Sequence, residues 1–148
     1  MKRRVLFALY CTLMLWLLFG QRLGFWVQGD YWQQVCANMN LKPLETVGNY
    51  LWVLRNDRGL SAMTHAFVNL AGNVVMFVPL GLFLPSLWHR FRKLWLFLLT
   101  VLGVILAVEL VQLFTLLGKC DVDDVLLNLL GAALGFGLYG LQAKFLEK

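Results

Sequence analysis

Three of the chain's eight acidic residues fall within four positions, Asp121, Asp123 and Asp124. They stand directly against an apolar run that continues to Leu141. Carboxylates at the mouth of a membrane span are costly unless they face protein, water or a bound cation. Steps of three and four place Asp121, Asp124, Asn128, Gly131 and Gly135 on one helical face, with Asp123 pointing elsewhere. Two other apolar runs carry polar groups. His65, Asn69 and Asn73 are each one turn apart and form a polar stair. Glu109 and Gln112 are three apart and share a face, with Thr115 a turn further on.

This set could do three kinds of chemistry. Acid and amide oxygens suit a hard divalent cation such as Mg²⁺ or Ca²⁺, with Glu109, Asp121 and Asp124 as its ligands. Glu109 with an aspartate could form a general acid–base pair. The same groups could instead hydrogen-bond an amine or sugar. Lys119 is the nearest basic residue at the turn. No serine or cysteine nucleophile stands beside a histidine in the apolar runs, which argues against triad chemistry. Cys120 adjoins the acids, whose charge disfavours a thiolate. The bland alternative is that these side chains only hold helices together, at about 1 kcal/mol per interhelical contact.

Composition decides what positions them. The chain has 148 residues, 60% hydrophobic and 14% charged, with mean hydropathy +0.70. A soluble domain carries about a quarter charged residues, so most of this surface faces lipid or other membrane helices. The net charge of +5 sits beside apolar runs, as topology signals do. Nucleic acid is therefore not an expected partner, whereas membrane lipids are. The three cysteines form no CxxC or Cys/His spacing for zinc. Cys11 lies in an apolar run, and Cys36 and Cys120 fall on one side of the membrane, where a disulfide is open to them.

The reading is one all-α membrane domain over 1–148, a bundle of four transmembrane helices. The spans are about 5–26, 66–87, 94–117 and 124–142. Basic Lys2–Arg4 before an apolar run resembles a signal peptide, but no small-x-small cleavage site follows. An uncleaved first span is favoured, with Arg22 at the interface. The basic 89–93 loop, the N-terminus and the lysines Lys144 and Lys148 fall on the cytoplasmic side. The acidic turn and the long polar loop 27–66 fall outside. That loop holds Trp26, Tyr31, Trp32, Tyr50 and Trp52, suited to headgroups. Pro43 could open a short amphipathic helix carrying Leu44, Val47, Leu51 and Leu54 on one face. Pro79 should kink the second span. Gly131 and Gly135 form a GxxxG pattern that permits close helix approach, within the chain or in an oligomer. Counted from the outer ends at about 1.5 Å per residue, the polar groups of three spans reach similar depth in the outer half.

Four ordered elements resemble the VanZ-like family of membrane proteins. Asn40-Leu-Lys-Pro43-Leu-Glu-Thr46-Val is similar to its "NLxPFxTI" element. Asn69-Leu-Ala-Gly-Asn73 through Phe77, Pro79-Leu-Gly81 and Pro85 is similar to "NxxGNxxxFxPLGxxLP". Glu109-Leu-Val-Gln112 matches ExxQ. Gly118-Lys-Cys-Asp121-Val-Asp123-Asp124 through Asn128 and Gly131 matches "GRxxDxDDxxxNxxG". Lys119 replaces the usual arginine, which loses the bidentate fork, and Leu44 replaces phenylalanine. The resemblance implies a bacterial inner-membrane, multi-pass protein. It also implies a link to resistance against lipoglycopeptides such as teicoplanin. Together with the polar cluster it leads to a binding site for an amphipathic envelope ligand, a lipid-linked cell-wall component or a lipoglycopeptide. That site comprises His65, Asn69, Asn73, Glu109, Gln112, Lys119, Asp121, Asp123, Asp124 and Asn128, open to the outer leaflet and needing no resident cofactor. Two further readings stay open: a membrane enzyme acting on a lipid head group, and a structural partner of other membrane proteins.

Overall fold

The computed structural model describes residues 2–20 and 29–146. The chain runs α1 (Lys2–Phe19), α2 (Tyr31–Ala37), β1 (Met39–Asn40), α3 (Glu45–Arg55) and α4 (Leu60–Leu87). It continues through a 3₁₀ turn (His89–Arg92), α5 (Leu94–Phe114), β2 (Cys120–Asp121) and α6 (Val122–Leu146). The regular elements among the described residues are thus helices apart from one two-residue strand pair. Three helices are long and apolar enough to cross a membrane: Leu60–Leu87, Leu94–Phe114 and Val122–Phe145. α1 follows the first expected span but carries Lys2, Arg3 and Arg4 in its own first turn. Positions 21–26 of that span, with Arg22 and Trp26, lie outside the described residues.

The spans differ from expectation mainly at their ends. α4 starts at Leu60, six residues before the expected Ala66, and runs unbroken through Pro79 and Pro85. Pro79 removes a backbone donor from this stretch. Tyr10 of α1 donates its hydroxyl to the Met76 carbonyl here, at 2.8 Å. α5 stops at Phe114, before the expected 117, where Leu116 takes a left-handed backbone, φ 55°. Pro43 does not open α3. It lies in the turn ahead, and Leu44 is the residue flanking the helix, with φ 63°.

Glycine sets the closest contact in the bundle. An added Cβ at Gly131 would run into the Val74 carbonyl, one at Gly135 into the Val78 carbonyl, and one at Gly81 into the Ala132 carbonyl. α4 and α6 therefore meet backbone to backbone, the geometry that small-residue patterns permit. This fills the Gly131/Gly135 face from within the chain. The apolar core lies below, where Phe77, Leu84, Phe97, Val101, Ile105 and Ala132 are buried. The Phe97 and Phe136 rings stack with centroids 4.8 Å apart. Outward-facing Leu, Val and Trp side chains of α4, α5 and α6 remain exposed, as a lipid-facing surface requires.

Candidate functional site

The acidic turn is built as a clasp between two distant segments. β1 pairs in parallel with β2, Met39 opposite Cys120 and Asn40 opposite Asp121. The Cys120 amide donates to the Asn38 carbonyl at 2.9 Å. This pairing brings the loop before α3 against the start of α6. Asp121 thus lies in the strand and not on the helical face it was expected to share with Asp124 and Asn128.

The Asp121 carboxylate is only 8% exposed. One oxygen accepts from the Thr46 hydroxyl at 2.5 Å and from the Asn40 amide at 3.2 Å. The other accepts from the Asp123 amide at 2.9 Å. Its own backbone N–H donates to Glu109 Oε2 at 3.3 Å. Asn40 and Thr46 are site residues that the sequence reading did not single out. They stand in the motif Asn40–Val47, and the signal was the pairing of uncharged donors with an acidic string elsewhere.

Asp123 is fully buried. Its two oxygens accept from the backbone N–H groups of Leu44, at 2.5 Å, and Val47, at 3.0 Å. These are the flanking and third residues of α3, whose first amides lack partners within the helix. A helix usually supplies such a cap from its own flanking side chain. Here Leu44 cannot, and an aspartate seventy-nine residues away does so. Asp123 also sits with Asp124 in the first turn of α6, where negative charge complements the helix dipole.

The third acid faces the bundle. The Asn73 amide of α4 donates to Asp124 Oδ1 at 2.5 Å. Below it, Asn128 is 5% exposed, and its Oδ1 is buried without a hydrogen-bond partner among the described residues. A buried unsatisfied oxygen costs about 1–3 kcal/mol. Glu109 is 4% exposed and reaches the same end of the bundle through the Asp121 amide.

The remaining expected residues are placed elsewhere. Gln112 is buried but turns to α1, donating to the Leu18 carbonyl at 2.9 Å. It secures a helix end. Asn69 donates to the His65 carbonyl at 2.9 Å and lies beside the His65 ring. Of the polar stair, Asn73 is the member that hydrogen-bonds an acid. His65 is exposed and approaches the site through Tyr50, its ring 6.1 Å from the Tyr50 ring, edge to face. Burial and the charges of Asp124 and Asp121 push the Tyr50 hydroxyl above its usual range. Lys119 is exposed at the turn. Burial, then the charges of Glu109 and Asp121, also raise the Cys120 thiol. Cys36 and Cys120 are both free thiols.

Among the described residues no three His, Cys, Asp or Glu side chains are grouped to hold a metal ion.

Residues of the four motifs therefore meet at one end of the bundle through hydrogen bonds. A family model for VanZ/LLP1 matches residues 7–143. The chain belongs to the VanZ/LLP1 family. It is 30% identical to Protein VanZ of Enterococcus faecium over 146 residues, 98% of this chain and 78% of that protein. No solved structure matches. With its apolar helices, family membership makes this a membrane protein. In this VanZ-family chain, the clasp of Asn40, Thr46, Asp121 and Asp123 is the frame. Asn73, Asp124, Asn128 and Glu109 lie against it.

Proposed function

We propose that this chain binds the polar head of an amphipathic envelope ligand at the Asn73, Glu109, Asp124 and Asn128 group. The ligand is a lipid-linked cell-wall component or a lipoglycopeptide of the teicoplanin kind, and the outcome is envelope function or glycopeptide resistance. The observation that carries the reading is the Asn128 Oδ1 atom, buried and without a partner among the described residues. It calls for an incoming O–H or N–H donor, and sugars and amines supply both. Asp121 and Asp123 act as frame, holding the 39–47 loop over the helix ends.

The topology belongs to the same proposal. α1 is a fourth span, both ends of the chain are cytoplasmic, and the acidic end faces outward from the inner membrane. α3 lies at the outer interface. Its exposed Leu51 and Trp52 and the flanking Leu44, with Trp32 and Tyr31, suit the region where an acyl tail leaves the lipid.

The test is native mass spectrometry of the detergent-purified protein mixed with lipid-linked cell-wall precursor or with teicoplanin. Wild type is compared with Asn128→Leu and Asp124→Asn. The expected result is a discrete bound mass, reduced about tenfold or more in both variants, as loss of a buried polar partner predicts. Equal, unselective binding in all three proteins of unchanged thermal stability would leave the polar group as helix glue. A converted lipid mass that disappears in Glu109→Gln would make the site catalytic.

A further inference from the structure

The opposite end of the bundle holds a second site of different chemistry. A cavity of about 430 Å³ opens there, within the size range of small-ligand pockets. Four parts of the chain converge on it: Arg3 from the first turn of α1, Phe83 and Ser86 from the end of α4, Arg92 from the 3₁₀ turn, and Tyr139 and Gln142 from the end of α6. From Asn73 to Ser86 along α4 is about 20 Å at 1.5 Å per residue, so this cavity and the acidic site are separate.

The lining has a clear electrostatic sense. Two arginines, Arg3 and Arg92, line one cavity, and no carboxylate lines it among the described residues. Like charges placed together without a counter-charge favour a bound anion. Arg92 spends one N–H on the Pro85 carbonyl, at 3.5 Å. That bond anchors the side chain and leaves four donors of the fork. Tyr139 and Gln142 add an O–H and an N–H₂ donor. The wall is fixed, since Phe83 packs against Phe7, centroids 5.7 Å apart, and against Tyr10, 5.9 Å apart. Ser86 donates to the Phe83 carbonyl at 2.9 Å, which leaves its oxygen an acceptor. Guanidinium pairs of this kind select phosphate, whose tetrahedral oxygens take bidentate bonds.

We propose that this basic cavity binds a phosphate ester, presented by an anionic phospholipid in the adjoining leaflet or by a free phosphate compound. The mouth lies at the ends of membrane-crossing helices, where a phosphodiester head group already stands at the right depth.

The experiment is native mass spectrometry of the full chain in detergent with three probes. They are phosphatidylglycerol, phosphatidylethanolamine with the same acyl chains, and glycerol 3-phosphate. Wild type is expected to hold phosphatidylglycerol selectively over phosphatidylethanolamine. Arg92→Gln and Arg3→Gln should each weaken it about tenfold, as loss of a charge-assisted contact predicts. Asp124→Asn should leave it unchanged. Competition by glycerol 3-phosphate would identify the phosphate ester alone as the ligand, and its failure would identify the lipid. Should the Arg→Gln variants not fold, Arg92→Lys and Tyr139→Phe, which keep charge and shape, should still weaken binding severalfold. The proposal is overturned if wild type shows no preference for phosphatidylglycerol over phosphatidylethanolamine, whose ammonium offsets its phosphodiester charge, and does not bind glycerol 3-phosphate. It is equally overturned if folded variants bind as wild type does.

Discussion

Asp123 shows how a residue's neighbours in space change its meaning. In sequence it is the odd member of an acidic string, off the face of the other two. In the fold it is fully buried and caps α3 from across the molecule. Asp123→Ala should leave two backbone amides of α3 without acceptors. The expected cost is about 1–3 kcal/mol for each amide that stays buried, read as a lowered melting temperature. Asp123→Asn keeps an acceptor and should cost less. Thr46→Val should remove the hydroxyl donated to Asp121 and cost about 1 kcal/mol, with Thr46→Ser close to wild type. A larger loss in Thr46→Val than in Asp123→Ala would reverse the ranking derived from burial. Cys120 yields a prediction in pH. Burial first, then Glu109 and Asp121, raise its thiol above the ordinary value, so the folded state holds the proton more tightly than the unfolded chain. Its contribution to stability is complete below the unfolded thiol value of about 8.5. It is lost as pH rises through the higher folded value. Iodoacetamide should therefore modify exposed Cys36 well before Cys120 at pH 8, with Cys120 gaining only at more alkaline pH. Equal rates at pH 8 would contradict the placement of Cys120 beside the acids.

Among the elements, the α4–α6 contact is the most exacting. Gly131 and Gly135 are buried against the carbonyls of Val74 and Val78, so even a methyl group forces the two backbones apart. Gly131→Ala should cost about 1–3 kcal/mol, the range for overpacking. Gly137→Ala, where an added Cβ meets nothing, should be neutral or slightly stabilising through helix propensity. The comparison of the two melts checks the contact, because both changes add the same atoms to the same helix. Moving α4 from α6 would also separate Asn73 from Asp124. A Gly131→Ala protein that still folds should therefore show weakened ligand binding.

At the scale of the molecule, the short strand pair joins the loop after α1 to the turn before α6. Cys36 and Cys120 must then lie at the same end, whatever the course of residues 21–28. With that end outward, a membrane-impermeant maleimide added to whole cells should label Cys36. Labelling only after permeabilisation would invert the topology. A soluble cysteine placed at exposed His89, in the 3₁₀ turn, should behave in the opposite way.

The chain's sequence by itself determined the helical class of the fold and, to within a few residues, three helices long and apolar enough to cross a membrane. Apolar runs of twenty or so residues have few other solutions when each backbone group must find its partner within the segment. It also determined the family, because four short motifs stand in order. Helical spacing and depth counting placed Asn73, Asp124 and Asn128 toward one end, since both depend on local geometry. Only the tertiary structure separated the acids that hold the 39–47 loop, Asp121 and Asp123, from Asp124, which faces α4. Whether Asp123 points at solvent, at a ligand or at the amides of α3 depends on where a loop seventy-odd residues away comes to rest. The same holds for Gln112, which could face an acid or the end of α1, and for Gly131 and Gly135, which fit a second copy as well as α4. Periodicity states which residues share a face. It does not state which element covers that face, and here the parallel pairing of β1 with β2 and the close approach of α4 to α6 decide it.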